Sequence, residues 1–221
     1  MDDPKTKNPY SFNHFYSNNG FYYGLKLHPE FLGFFEKITD FSGKQALDIG
    51  CGEGRYAIWL ASRGCSVTAI DMSKEGIRKL SMFAADNKLD ICAQVADIET
   101  YRFPKNTFDI ITAATILDHI SVNVLRDVAA RITNALKPEG ILYADVFTTD
   151  DPGYRMKRGN SNAVDVSDTA AFISRYFEKN ELKQLFRMLS PIVYRESIEP
   201  DLSHGRPHKH GWACLIAQKV G

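Results

Sequence analysis

The stretch Leu47-Asp48-Ile49-Gly50-Cys51-Gly52-Glu53-Gly54-Arg55 decides the fold of this 221-residue chain. It overlaps a short apolar run, Gln45 to Ile49, that has the length of a buried strand, and it precedes a helical pattern from Tyr56 to Arg63. Glycines allow a sharp turn and a close approach to a ligand, since no Cβ intervenes. The following helix presents unpaired N–H groups and its positive dipole end to an anionic group. The stretch predicts a ligand-binding turn, with a tightly packed turn that binds nothing as the alternative.

Strand and helix patterns alternate after this turn, which predicts βαβ units and a parallel sheet. Further strands are predicted at Ser66–Ile70, Ile91–Val95, Phe108–Ala113, Ile141–Phe147, Ile192–Ile198 and Gly211–Gln218. Helices are predicted from Pro29 onward and at Lys74–Asn87, Val122–Leu136 and Lys183–Met188. The last two strands are separated by a turn region from Glu199 to His210 and can pair as an antiparallel hairpin. We therefore expect a doubly wound α/β fold with a mostly parallel seven-stranded sheet, helices on both faces and a C-terminal antiparallel hairpin.

Two segments depart from this rhythm. Residues 1–28 are rich in aromatic side chains and are expected to form an arm or lid, whereas residues 29–221 form the main domain. The rings of the arm either cover a bound ligand or pack as a satellite of the core; they belong to Tyr10, Phe12, Tyr16, Tyr22 and Tyr23. Residues 148–178 are rich in Asp, Gly, Ser and Asn, and we expect an insertion over the active site.

Composition excludes several classes of protein. Lys and Arg total 27 and Asp and Glu total 27, so the chain lacks the basic excess typical of nucleic-acid binding. No apolar run approaches the roughly 18 residues of a membrane span, and the N-terminal residues lack the apolar core of a secretory signal. The four cysteines, Cys51, Cys65, Cys92 and Cys214, lie far apart, which suits buried free thiols in a reducing compartment. We expect a cytoplasmic protein with a small-molecule partner, without a nucleic-acid or membrane partner; the oligomeric state stays open.

An acid closes the second predicted strand. Asp71 lies 21 residues after Gly50, where a carboxylate can accept hydrogen bonds from both hydroxyls of a ribose. The spacing Gly50-x-Gly52-x-Gly54, preceded by Asp48, differs from the G-x-G-x-x-G of dinucleotide sites. This region resembles the class I S-adenosylmethionine-dependent methyltransferases, whose first motif is an acid followed by G-x-G-x-G. The resemblance covers roughly residues 44–147.

The resemblance implies a set of cofactor-binding residues. The amino-acid end of the cofactor would lie against Asp48, Gly50, Cys51 and Gly52, its ribose at Asp71, its adenine between Met72, Asp97 and Ile98, and its sulfonium beside Ala113. The segment Leu136 to Leu142 matches the family's L-x-P-G-G-x-L turn, except that Glu139 replaces one glycine.

The acceptor is expected at the carboxyl edge of the sheet, where ligands bind in open α/β folds. His119 follows the fourth strand and is either a general base or a packing residue. Candidate acceptor-binding residues are Tyr23 in the arm and His204, Arg206, His208 and His210 in the turn region. We expect no metal there, because no cysteine or spaced carboxylate completes a ligand set. The alternative is that the turn is merely solvated.

The segments Phe21 to Gly24 and His208 to Ala213 also resemble the small-molecule branch near tellurite-resistance-type methyltransferases. The implied function is transfer of a methyl group from S-adenosylmethionine to a small molecule by in-line attack, which needs positioning more than acid–base help. A non-catalytic cofactor-binding protein of this fold remains an alternative. An NAD(P)-dependent oxidoreductase is less consistent, because the one Tyr-x-x-x-Lys, Tyr101 to Lys105, contains Pro104. Nucleic-acid amino-methylation is disfavoured because Ala113 to Ile116 stands where an Asn/Asp-Pro-Pro-aromatic segment belongs.

Overall fold

A computed structural model describes residues 9–159, 164–167, 169–202 and 205–221, with seven strands in a single sheet. The strands are β1 (Gln45–Ile49), β2 (Ser66–Asp71), β3 (Ile91–Val95), β4 (Phe108–Ala114), β5 (Leu136–Phe147), β6 (Ser190–Asp201) and β7 (His208–Gln218). The helices are α1 (Pro9–Tyr16), α2 (Pro29–Phe35), α3 (Arg55–Ser62), α4 (Lys74–Asp86), α5 (Val122–Ala135), α6 (Pro152–Lys157) and α7 (Glu181–Leu185). Among the described residues, no helix combines the length and apolar character needed to cross a membrane.

The strand order is β3-β2-β1-β4-β5-β7-β6. Strands β1 to β5 pair in parallel, whereas β7 pairs antiparallel with both β5 and β6. This confirms the predicted doubly wound sheet and its antiparallel hairpin. The chain order reverses at β1, so the loops after β1 and β4 leave in opposite directions and open a crevice at their carboxyl ends.

The hairpin is longer than predicted. Its ladder continues until Asp201 pairs with His208, so the predicted turn region from Glu199 to His210 contains three residues of β6 and three of β7. The predicted strand ends were wrong because these polar residues were assigned to a turn, whereas His208 and His210 are buried strand residues. Since β7 runs antiparallel to β5, with Trp212 opposite Phe147, the start of β7 and the hairpin tip lie at the same edge as the carboxyl ends of the parallel strands.

Helices cover both faces of the sheet because successive strand residues point to opposite sides. In β1, Leu47 belongs to the core cluster under α5, whereas Ala46 belongs to the cluster under α2 and α3. Helix α5 buries residues at helical spacing, Leu125, Val128, Ala129, Ile132 and Ala135. On the other face Phe31 and Phe35 of α2 stack with ring centroids 4.4 Å apart. Each such fully buried large apolar side chain contributes about 1.5–3 kcal/mol by leaving water.

Some local predictions need correction. Helix α7 begins and ends earlier than the predicted Lys183–Met188, because Leu182 is fully buried and anchors it whereas Met188 is 77% exposed. All four cysteines are free thiols, but Cys92 is exposed, since β3 is an edge strand with few neighbours. The other three cysteines are buried as expected.

Candidate active site

A cavity of about 660 Å³ opens at the carboxyl ends of the parallel strands, within the range of about 300–1,000 Å³ typical of small-molecule sites. Its floor is the loop after β1. Its walls are formed by the ends of β2 and β4, by the segment after α1, by the end of β6 before the hairpin tip and by the insertion of residues 148–178. The predicted residues that line it are Asp48, Gly50, Cys51, Gly52, Asp71, Met72, Asp97, Ile98, His119, Tyr23 and His210.

The floor requires glycine at three positions. Gly50, Gly52 and Gly54 have φ angles of +65°, +54° and +87°, in the left-handed region that L side chains rarely adopt. A Cβ at Gly50 would lie 2.5 Å from a side-chain carbon of Ile116, and one at Gly52 would lie 2.7 Å from the Tyr16 hydroxyl. A Cβ at Gly54 would lie 2.3 Å from Leu80 in α4. The three glycines therefore let Ile116, Tyr16 and Leu80 pack directly against the loop, which forms the floor of the cavity.

Asp71 holds this loop at the end of β2. Its Oδ2 accepts a hydrogen bond from the Gly52 N–H at 2.8 Å, and its Oδ1 accepts one from the Ser73 N–H at 2.7 Å. Burial raises the pKa of the Asp71 carboxyl, and the two backbone donors oppose that shift. Each carboxylate oxygen has a second lone-pair site, so Asp71 can accept from a ligand hydroxyl without releasing the loop.

Asp48 is buried at the end of β1. Its Oδ1 accepts from the Thr112 hydroxyl at 2.7 Å, and its Oδ2 accepts from the Ala57 N–H in α3 at 3.0 Å. Burial raises the pKa of this carboxyl to about 7, despite both donors and the nearby Arg55 guanidinium. Asp48 thus ties β1 to β4 and α3, and it presents a titratable group to the cavity.

The structure places the residues predicted near β3 in the cavity wall, whereas at the end of β4 the lining residue differs from the one predicted. Met72, Asp97 and Ile98 line the cavity, and Asp97 accepts the Glu99 N–H at 2.9 Å. Ala113 does not line the cavity: it is fully buried in the core cluster under α5, and Ala114 lines the cavity instead. Along a strand a shift of one residue reverses the face.

His119 lies in the wall with a fixed ring. Its Nδ1 is 3.0 Å from the Phe172 carbonyl oxygen, which can only accept, so Nδ1 carries the proton and Nε2 keeps its lone pair. Burial lowers the pKa of His119 to about 4, so the imidazole is neutral at pH 7. The neighbouring Asp118 carboxyl, 3.8 Å from Nε2, has its pKa raised by burial to about 7.

The segment after α1 is held against the glycine loop. Glu53 accepts the Tyr22 N–H at 2.6 Å with one oxygen and the Lys79 ammonium at 2.6 Å with the other. The ring of Phe12 meets His119 edge-on at 5.4 Å. Tyr16 is buried against Gly52, and burial raises the pKa of its phenol well above the usual value. Sequence reasoning named these rings but left open which surface they contact.

Several residues of the cavity lining were not predicted from the sequence, and two of them, Arg55 and Asp145, are charged residues in regular elements. Arg55 begins α3 and lines the cavity, as does Asp145 near the end of β5. Asp145 accepts the Thr115 N–H at 2.8 Å and the Tyr143 hydroxyl, and Tyr143 lies 3.4 Å from the Tyr56 hydroxyl. An acid inside the apolar run from Ile141 to Phe147 was the signal that could have identified Asp145. Among the described residues, acidic side chains in the cavity lining outnumber the two cationic ones, Lys26 and Arg55, which favours a cationic ligand. The acidic residues are Asp48, Glu53, Asp71, Asp97, Glu99, Asp145, Glu199 and Asp201.

Fewer residues of the hairpin tip line the cavity than predicted. His210 lines the cavity, whereas His208 and Arg206 are not among its lining residues, and His204 lies outside the described residues. The expectation of no carboxylate near these histidines was wrong: the ligand atoms of Asp201, His208 and His210 lie within 4.8 Å of one another. The ladder explains it, because Asp201 is directly opposite His208.

Comparison with known proteins agrees with this architecture. Residues 46–140 match a family model described as a methyltransferase domain. The chain is 32% identical over 120 residues to the ubiquinone biosynthesis O-methyltransferase of Idiomarina loihiensis, covering 53% of this chain and 49% of that protein. It thus spans about half the length of the curated relatives it matches.

Solved structures show the same fold. TehB from Haemophilus influenzae superposes with a TM-score of 0.71 at 19% identity, over 87% of this chain and 62% of that chain. The 1,6-didemethyltoxoflavin-N1-methyltransferase of Burkholderia thailandensis, solved with its substrate and S-adenosylhomocysteine, gives 0.60 at 20% identity, over 81% and 72%. Residues 46–140, somewhat less than half of the chain, thus match a methyltransferase-domain model, and the chain shares its fold with these solved structures.

Proposed function

We propose that this protein transfers the methyl group of S-adenosylmethionine to a small-molecule acceptor held in the 660 Å³ cavity. One observation carries the proposal: the carboxylates of Asp48 and Asp71 and the left-handed glycine loop meet at the floor of a single cavity. A sulfonium nucleoside with an amino-acid tail is a cationic ligand with ribose hydroxyls, and this floor offers acceptors for both.

The residues present fit this cofactor. Cβ atoms at Gly50 and Gly52 would displace Ile116 and Tyr16, so the loop keeps a shape that only a backbone without side chains can take. In the proposed arrangement Gly50, Cys51 and Gly52 contact the amino-acid tail. Asp71 accepts the ribose hydroxyls. Met72, Asp97 and Ile98 border the base. When bound, the cofactor supplies an electrophilic methyl group.

The chain's own contribution to the reaction is positioning and exclusion of water. Part of the remaining cavity wall is aromatic or apolar, with side chains from Phe12, Tyr23, Phe147, Phe172, Ile173, Leu202 and Trp212. A dry wall of this kind strengthens the attraction between the acidic floor and a cation, and it orients a flat acceptor for in-line attack. His119, whose pKa is lowered to about 4, is a neutral acceptor at pH 7 and a weak base. We therefore assign it an orienting role toward the acceptor rather than proton removal.

The acceptor class follows from the polar groups of the same wall. Asp145, Asp201, His210 and Tyr23 offer hydrogen-bond partners for one or two polar atoms, as expected for an aromatic hydroxyl, thiol or amine. The relatives named above methylate oxygen and nitrogen by their names, which supports a panel of both. The cytoplasm is the proposed location, because reducing conditions keep the buried thiols free. The proposal also keeps residues 1–28 as an arm or lid and residues 148–178 as an insertion over the site, although residues 1–8, 160–163 and 168 lie outside the described part of the chain.

Two measurements test it. Calorimetric titration with S-adenosylmethionine is expected to give one site per chain, with at least tenfold weaker binding in Asp71→Ala and unchanged binding in Asp90→Ala, an exposed acid in the loop before β3. Turnover is then measured with phenols, thiols, halides, tellurite and small amines. Equal binding by both variants and the wild type would contradict the proposed site. Binding without turnover of any acceptor would favour the non-catalytic alternative.

A further inference from the structure

Two buried histidines face each other at the hairpin tip. His208 Nε2 and His210 Nε2 lie 2.9 Å apart, and the two residues are 5% and 1% exposed. They occupy alternate positions of β7, so both side chains project from the same face of the hairpin. Asp201, directly opposite His208 on β6, places a carboxylate oxygen 3.9 Å from His210 Nε2.

The other ring nitrogens fix the tautomers. His208 Nδ1 is 2.6 Å from the Arg206 carbonyl oxygen, which can only accept a hydrogen bond. His210 Nδ1 is 2.8 Å from Asp151 Oδ2, which also accepts the Gly211 N–H, while Asp151 Oδ1 accepts the Gly153 N–H. Both Nδ1 atoms therefore carry hydrogen. In the neutral form of such a ring Nε2 carries the lone pair that binds a metal ion, so the two Nε2 atoms and the Asp201 carboxylate oxygen form a cluster of metal-type ligand atoms within 4.8 Å of one another.

We propose that Asp201, His208 and His210 form a binding site for a divalent transition-metal ion of the zinc type, with its open coordination positions toward the cavity. Two imidazole nitrogens and one carboxylate oxygen are a donor set that suits zinc. Imidazole ligands whose second nitrogen donates to a carboxylate or carbonyl are typical of metal sites, and Asp151 and the Arg206 carbonyl fill these roles. Ligand nitrogens about 2.0–2.1 Å from a tetrahedral ion lie about 3.3 Å apart, so a small opening of the pair admits it.

The site borders the cavity because His210 and Asp201 line it, beside Phe147 and Trp212. The ring of Phe147 lies 4.4 Å from that of His210 and shields this side from water. An ion here would face an acceptor with an oxygen or sulfur lone pair. This role rests on the proposed function, whereas metal binding itself does not.

The test is metal binding by the whole chain. Protein stripped with a chelator is titrated with Zn²⁺ by calorimetry and with Co²⁺ by visible absorption, in the absence of nucleoside. We expect one ion per chain and a cobalt spectrum typical of low coordination number. His208→Ala should weaken Zn²⁺ binding at least 100-fold and Asp201→Asn at least tenfold. His14→Ala, an exposed histidine in α1, should leave it unchanged.

The possible outcomes are distinct. No Zn²⁺ uptake by the wild type would mean that a proton, rather than a metal, lies between the two nitrogens, and it would overturn the proposal. Uptake that His208→Ala and Asp201→Asn leave intact would also overturn it. If His208→Ala does not fold, Asp201→Asn decides, because Asp201 is only half-buried. S-adenosylhomocysteine titrated into the same preparations reports the proposed function separately: cofactor binding without metal binding refutes the metal site alone.

Discussion

Replacing Gly54 by alanine tests whether close packing against Leu80 fixes the conformation of the glycine loop. Gly54 has φ +87°, and the added Cβ would lie 2.3, 2.7 and 2.9 Å from three carbons of Leu80. Leu80 is fully buried, so it has no open space into which to turn. The left-handed backbone costs an alanine about 1–2 kcal/mol, and overpacking in a dense core costs about 1–3 kcal/mol more. The expected loss of unfolding free energy is therefore about 2–5 kcal/mol.

Gly43→Ala is the matched control. Gly43 also has a left-handed φ, +70°, but a Cβ there would meet nothing within 4 Å. It should cost only the backbone share, about 1–2 kcal/mol. Urea unfolding followed by circular dichroism measures both. The difference between the two variants isolates the steric contact with Leu80.

A double variant tests separately whether the loss in Gly54→Ala comes from the contact with Leu80. Leu80→Ala alone should cost about 2–5 kcal/mol because it leaves a void. In the double variant Gly54→Ala with Leu80→Ala, the new methyl group occupies part of that void. The double variant should therefore lose about 1–3 kcal/mol less unfolding free energy than the sum of the two single losses. Equal losses for Gly54→Ala and Gly43→Ala, or strict additivity with Leu80→Ala, would refute the account of the loop.

Three further results are expected. Asp48 has a folded pKa of about 7, above its unfolded value of about 3.9, so its burial lowers the free energy of unfolding progressively as pH rises from about 4 to 7. Asp48→Asn should therefore be more stable than the wild type at pH 8 by about 1–3 kcal/mol. If urea unfolding of the variant and the wild type had the same pH dependence, this expectation would be contradicted. His119 has a pKa of about 4, so it does not change charge near pH 6.5, and the pH–rate profile of His119→Asn should have the same shape there as that of the wild type. An inflection near pH 6.5 that is present in the wild type and lost in His119→Asn counts against the orienting role. Glu53→Ala removes the hydrogen bonds to the Tyr22 N–H and to Lys79 that hold the segment after α1. Trypsin should therefore cut after exposed Lys26 on the order of tenfold faster. The control Glu75→Ala breaks an exposed ion pair and should not change the cleavage rate.

Most of the parallel sheet could be predicted from the sequence because its signals are local. The run from Gln45 to Ile49, the glycines after it and Asp71 at the end of β2 all lie within a short stretch, and their spacing already indicates a strand, a turn and a ligand-binding edge. The position of Asp71 beside Gly52 follows from parallel pairing of β1 with β2. These features need no knowledge of distant residues.

The hairpin tip could not be predicted in the same way. His210 is buried because Asp151, 59 residues earlier in the chain, accepts from its ring, and no local pattern encodes that contact. The polarity of Asp201 and His208 indicated a turn, whereas their cross-strand pairing buries His208 and half-buries Asp201. Ala113 and Ala114 illustrate a second limit: both are small and apolar, so composition gives no sign of which one faces the cavity. Register decides it.

A crystal structure with bound S-adenosylhomocysteine would show whether the cavity is a cofactor site. We expect density for one nucleoside per chain, with its amino-acid tail along Gly50 to Gly52 and its ribose hydroxyls within hydrogen-bond distance of Asp71. Density elsewhere, or a saturated crystal in which this cavity holds only water, would contradict it.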